Sequence, residues 1–176
     1  MANTSTSRLS RRLALQLPLA GVTGVWLGLH QAAMAAVNPA LITVWKTPDC
    51  GCCKEWVTHL RKNGFEVVTN DIPDTAPMRQ KLGLPAKFGS CHTAQLGAYV
   101  LEGHVPAQEI KRLMREKPKA VGLAVPGMPV GSPGMEVGNR QDAYDVLLVL
   151  ADGSSRTYQS YPSKTVKSSV KSSLKS

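Results

Sequence analysis

The chain has 176 residues, 43% of them hydrophobic and 19% charged, and a formal net charge of +9. Three arginines (Arg8, Arg11, Arg12) and four lysines (Lys164, Lys167, Lys171, Lys175) lie near its two ends, so residues 36–162 carry only about +2. A nearly neutral centre has no basic face on which to lay a phosphate backbone, which excludes nucleic acid as a partner.

Residues 1–35 read as an export signal. The three arginines precede an apolar run from Leu13 to Leu29, and Ala33-Met34-Ala35 supplies the small residues of a signal-peptidase site. Ser10-Arg11-Arg12-Leu13 with Leu15 resembles a twin-arginine signal. The run is 17 residues long and broken by Pro18, Gly21, Thr23 and Gly24, short of the ~20 apolar residues of a membrane span. A periplasmic chain with no stable membrane span is expected, cleaved near Ala35. The 141 residues that remain of 176 are enough for one domain with its own core, over residues 36–162. Residues 163–176 are a lysine- and serine-rich solvated tail.

In chain order, Leu41 to Trp45 is β-branched and apolar and predicts a strand. Cys53 to Asn63 predicts a helix with Trp56, Val57 and Leu60 on its inner side, stopped by Asn63-Gly64. Phe65 to Thr69 predicts a second strand, parallel to the first through a right-handed crossover. Asp74 is placed as the N-cap of a short helix through Met78 to Leu82. Cys91 to Leu96 and Tyr99 to Glu102 flank Gly97-Ala98 as a hairpin. Val105-Pro106 opens a third helix with Ile110, Leu113 and Met114 inward, and Pro118 ends it. Met78 and Met114 are read as core residues at helical spacing. From Val121 to Gly138, five glycines, three prolines and two methionines mark an ordered loop folded over something. Tyr144 to Leu150 and Arg156 to Tyr161 flank Ala151-Asp152-Gly153-Ser154 as a closing hairpin. This order predicts an α/β fold: a thioredoxin-like mixed sheet flanked by helices, with a C-terminal β-hairpin.

Three of the four cysteines fall within four residues, Cys50-Gly51-Cys52-Cys53, at the predicted strand-to-helix turn. The positive end of the helix dipole there favours thiolates. Cys50 and Cys53 have the Cys-x-x-Cys spacing of thiol–disulfide oxidoreductases. Cys52 would compete by exchange with any bridge formed there, and bridges between near neighbours are hard to close without strain. Cys91 stands where thioredoxin-like enzymes carry a cis-proline facing the active site. If it faces the cluster, four thiolates converge, a set suited to copper(I), to zinc, or to a multinuclear thiolate-bridged cluster. Met128 and Met135 add thioethers that suit copper(I) and are foreign to the usual zinc set. His104, at the junction between the hairpin and the third helix, is a further candidate ligand. His92 adjoins Cys91, and both can reach one site only where the backbone is irregular. His59 is placed on the solvated side of its helix. Asp49 and Glu55 flank the cluster and are assigned no acid–base role. No Ser/His/Asp set, phosphate-cradling glycine loop or carboxylate pair has usable spacing. Three readings stay open from the residues: a soft-metal site, a thiol–disulfide oxidoreductase using Cys50 and Cys53, and a disulfide scaffold.

Four motifs in fixed order add to this: Thr47-Pro48-Asp49-Cys50-Gly51-Cys52-Cys53, Ser90-Cys91-His92-Thr93-Ala94, Glu102-Gly103-His104-Val105-Pro106, and Gly122-Leu123-Ala124-Val125-Pro126-Gly127-Met128-Pro129. Together they resemble the CopG-type copper-resistance proteins, periplasmic thioredoxin-like metal-binding proteins, over about Leu41 to Tyr161. The resemblance implies a copper cluster bridged by the thiolates of Cys50, Cys52, Cys53 and Cys91. It also implies periplasmic copper handling, with interconversion of copper(I) and copper(II). Copper ions are then the partner, alongside other periplasmic copper-handling proteins, and zinc is the competing metal.

Overall fold

Every second residue of Leu41–Lys46 is buried, the pattern of a strand with one face covered, and this stretch forms β1. The computed structural model describes residues 40–164. The expected export signal at 1–35 and all but the start of the expected tail lie outside the described residues.

Gly51–Lys62 forms α1, two residues longer at its start than the periodicity predicts, because Cys50 serves as its N-cap. Asn63-Gly64 ends it as expected, and Glu66–Asp71 follows as β2, parallel to β1. A short helix α2 spans Ala76–Lys81. Thr75 takes its N-cap position rather than Asp74, whose Oδ1 instead accepts the Ala76 N–H at 2.9 Å. Met78 is only half-buried and stands outside the core clusters, whereas Met114 packs against the larger one. A 3-10 turn at Ala86–Phe88 leads to β3 (His92–Leu96) and β4 (Tyr99–Glu102), the predicted hairpin. Helix α3 covers Ala107–Glu116.

The segment from Val121 begins with a strand that sequence patterning does not reveal. Gly122–Ala124 forms β5, parallel to β4 and antiparallel to β6 (Tyr144–Val149), which pairs in turn with β7 (Ser155–Tyr161). Three residues are too few to show a period. Gly122 is required there, since a Cβ would collide with the Val100 carbonyl of β4. The result is one mixed seven-stranded sheet in the order β2-β1-β3-β4-β5-β6-β7. Alternation divides its side chains between two clusters. Ile42, Val44, Leu101, Leu123 and Leu148 join Trp56 and Leu60 of α1 and Ile110 and Leu113 of α3 on one face. Val100, Ala124 and Val149 meet Leu84 and Phe88 on the other. The α/β mixed sheet with flanking helices and a C-terminal hairpin is as expected. Among the described residues, no helix is long and apolar enough to cross a membrane.

Candidate metal centre

Strand register brings the site together. Lys46 of β1 pairs with His92 of β3, so the residue before His92 lies beside the turn that leads into α1. Thr93 pairs with Glu102 and the Gly103 N–H donates to the His92 carbonyl at 3.0 Å, so position 104 falls opposite position 91. Cys50, Cys52, Cys53 and Cys91 thereby converge, their sulfurs all within 4.8 Å of one another. The donor nitrogens of His92 and His104 lie within the same distance of Cys91 and of each other.

At the first turn of α1, Cys50 Sγ accepts the Cys53 N–H at 3.3 Å, the place usually taken by a Ser, Thr or Asp oxygen. Cys50 and Cys53 are joined as a disulfide, and Cys52 and Cys91 are free. This departs from the expectation of four free thiolates and from the expected difficulty of a near-neighbour bridge. The opening turn of the helix sets the two Cα atoms 5.3 Å apart, within the ordinary span of a disulfide. Cys52 Sγ lies 3.5 Å from Cys50 Sγ and 3.8 Å from Cys91 Sγ.

Cys91 precedes β3 in an irregular bend, and no peptide bond in the described residues is cis. The irregularity lets both neighbours reach one sulfur. His104 Nε2 is 3.1 Å and His92 Nδ1 3.4 Å from Cys91 Sγ. His104 Nδ1 donates to the Pro133 carbonyl at 2.8 Å, so the lone pair of Nε2 faces the sulfur. Such a second contact on a histidine fixes its tautomer and ring orientation for ligation. Both imidazoles are neutral near pH 7: burial lowers the pKa of His104, and burial, followed by the repulsion a second protonated ring at His104 would add, pushes His92 down to about 3. His92 has no exposed surface, and its Nε2 has no hydrogen-bond partner. A buried polar atom left bare in a native fold asks for a ligand or a functional reason. Trp56 packs on the His92 ring at 4.3 Å between centroids and donates Nε1–H to the Val105 carbonyl, tying α1 to the β4–α3 junction.

The electrostatics of Cys91 run against the expectation that it joins the cluster as a fourth thiolate. Burial and then the Cys52 charge push its thiol up to about 12, so it keeps its proton at neutral pH without a cation beside it. A soft metal ion would displace that proton, as metal binding at thiols generally does.

A carboxylate behind Cys91 completes the structure. Glu102 is fully buried and accepts from Arg79 Nε at 2.8 Å, from the Ser90 N–H at 2.7 Å and from Thr93 Oγ1 at 2.6 Å. Arg79 Nη2 also donates to the Ser90 carbonyl at 3.1 Å. Residues 90 and 93, on either side of Cys91-His92, are therefore held by one buried ion pair. Sequence reading gave Glu102 and Arg79 no role, and the only signal was the place of Glu102 two residues before His104 in one of the four motifs.

The loop after β5 lies across this end of the sheet. Pro133 binds His104, Ser90 Oγ donates to the Gly127 carbonyl, and Gly134 sits on the first turn of α1. Of the two candidate thioethers, Met128 is 55% exposed and lines a depression with Asp142 and Leu147, and Met135 is half-buried. His59, expected to be solvated, is instead half-buried, its Nε2 accepting the Ala107 N–H at 3.1 Å at the start of α3. Burial lowers its pKa.

Residues 88–135 match a family described as a protein of unknown function, DUF411. Two solved structures, titled copper resistance protein CopG form 1 and form 2, are each 47% identical to this chain with a TM-score of 0.68. Both cover 71% of this chain, and the alignments take in 99% and 100% of their own lengths. The chain belongs to the CopG copper-resistance family. No curated protein matches it. The DUF411 match contains Cys91, His92, His104, Met128 and Met135, while the CopG structures extend the likeness well beyond that segment.

Proposed function

We infer that this CopG-family chain is a periplasmic copper-binding protein for copper resistance. It holds copper(I) on the thiolates of Cys50, Cys52, Cys53 and Cys91, with His104 and His92 as imidazole ligands. The observation that carries this reading is the donor set itself: four sulfurs drawn from two distant segments, with two neutral imidazoles at Cys91. Soft thiolates favour copper(I) over harder ions, and the number of sulfurs suits a multinuclear cluster. Zinc, content with four such ligands, is the competitor. Met128 and Met135 serve as auxiliary thioether ligands from the covering loop. Residues 1–35 are the twin-arginine export signal, 36–162 the metal-binding domain and 163–176 a lysine- and serine-rich tail, whose Lys164 pairs with Gln141. Other copper-handling proteins of the same compartment deliver or receive the ion.

The Cys50–Cys53 bridge favours a redox extension of this reading. Closing it from the dithiol releases two electrons and two protons, enough to take two copper(II) ions to copper(I). The same bridge supports the second reading, a thiol–disulfide oxidoreductase, which requires insulin reduction by the metal-free chain and its loss in Cys50→Ser.

An anaerobic copper(I) titration of the reduced chain against a competing chelator, with zinc in parallel, tests the leading reading. More than one tightly held copper per chain is expected, displacing zinc, with fewer in Cys50→Ser and in Cys91→Ser. Unchanged stoichiometry in both variants overturns the shared site.

A further inference from the structure

Once Cys50 and Cys53 are joined, the two thiols left over are not isolated. Cys52 and Cys91 are both half-buried and free, and their sulfurs are 3.8 Å apart. We propose that Cys52 and Cys91 form a second dithiol–disulfide couple, closed by exchange with small-molecule disulfides, which cross-links the first turn of α1 to the bend before β3.

Three observations carry this. A disulfide bond is ~2.0 Å long, so the sulfurs must approach by under 2 Å from their present 3.8 Å. Both residues lie at the ends of elements rather than within them: Cys52 belongs to the opening turn of α1, and Cys91 to an irregular bend outside β3. Of the three ways to pair four cysteines, the one containing Cys50–Cys53 leaves Cys52 no partner but Cys91. Cys50 Sγ is closer to Cys52, at 3.5 Å, but it is already bonded, and a bridge over one intervening residue strains the helix start.

The exchange balances without any further reactant. The thiolate of one member attacks a sulfur of the small disulfide RSSR, forming a mixed disulfide and expelling one RS⁻. The other member then attacks the protein-side sulfur, the Cys52–Cys91 bond forms, and the second small thiol leaves. The protein dithiol loses two electrons and two protons, and RSSR becomes two RSH. The chain then has three thiol states, with four, two or no free thiols. Only the first presents all its sulfurs to a soft ion, so full metal capacity requires two electrons from the state with one bridge and four from the state with both. The couple stands whether or not the chain holds copper.

The test is oxidation of the purified, reduced, copper-free chain with oxidised glutathione, followed by alkylation and disulfide mapping by mass spectrometry. The expected product has no alkylatable thiol, and Cys91→Ser carries a single glutathione. Because Cys52 and Cys53 are adjacent, the Cys50→Ser/Cys53→Ser variant isolates the couple. It should close one bridge in native buffer and shift to a double glutathione adduct in urea, which shows that the fold, not proximity in sequence, brings the pair together. Two alkylated or two glutathionylated thiols in the native double variant overturn the proposal, as does a Cys50–Cys52 bridge in the unmodified chain. A copper titration that fails leaves these outcomes unchanged, so the two readings fall separately.

Discussion

Glu102 places a carboxylate with no exposed surface two residues before a candidate ligand, where an uncompensated charge would be costly. Arg79 and the donors on either side of Cys91 offset that cost. Removing one member of a buried pair leaves the other charge stranded, so Arg79→Met should destabilise the chain by roughly 3–5 kcal/mol in urea unfolding at pH 7. Burial holds the Glu102 carboxyl above its ordinary range. The folded chain therefore takes up this proton at higher pH than the unfolded chain, and the contribution of this group to stability rises as pH falls from neutral. The penalty of Arg79→Met should accordingly shrink between pH 7 and pH 5. An equal penalty at both values would mean that stranded charge is not its cause. Glu102 was unreadable in the sequence because a glutamate at a strand end is ordinarily solvated. The cysteines were readable because thiols at one-residue spacing before a helix have few other uses. His92 lay between these cases: strand alternation argued against it, and the bend at Cys91 reversed that argument.

At the scale of elements, the helices and the longer strands were legible from their periods, and the contacts of the covering loop were not. Its order comes from tertiary bonds that no local pattern encodes, such as Gly131 N–H to the Met135 carbonyl and Asp142 N–H to the Val130 carbonyl. β5 escaped for the same reason, since its three residues gain their strand geometry only from β4 and β6. Gly134 is where the loop meets α1. Its φ is +85°, and a Cβ there would lie 2.7 Å from the Cys52 carbonyl oxygen and the Trp56 nitrogen. Gly138 has φ +54° with nothing within 4 Å of the same position. Gly138→Ala should therefore cost only the left-handed backbone penalty, about 1–2 kcal/mol. Gly134→Ala should cost more, about 2–4 kcal/mol, by adding a collision with helix backbone to that penalty. Thermal unfolding of the two variants checks the comparison, and equal losses would mean that the loop does not press on the helix.

For the whole molecule, the decisive feature is how far apart in sequence the site's parts lie. Cys50, Cys52 and Cys53 are local to one another in any state of the chain, but Cys91, His92 and His104 join them only through the registers of β1, β3 and β4. A metal that uses both groups binds the folded chain far better than the unfolded one, and so stabilises it. At free copper(I) a hundredfold above the dissociation constant, the gain is about 2.7 kcal/mol. For a domain of this size, that is a rise of roughly 10 °C in Tm. The reduced chain should show this rise with copper(I) and a smaller one with zinc. Cys91→Ser should lose most of the copper-induced rise even where it still binds some copper, because the thiols left on the α1 turn are also available in the unfolded chain. An undiminished rise in Cys91→Ser would confine the metal to the α1 turn and leave the convergence of the second segment without a part in holding it.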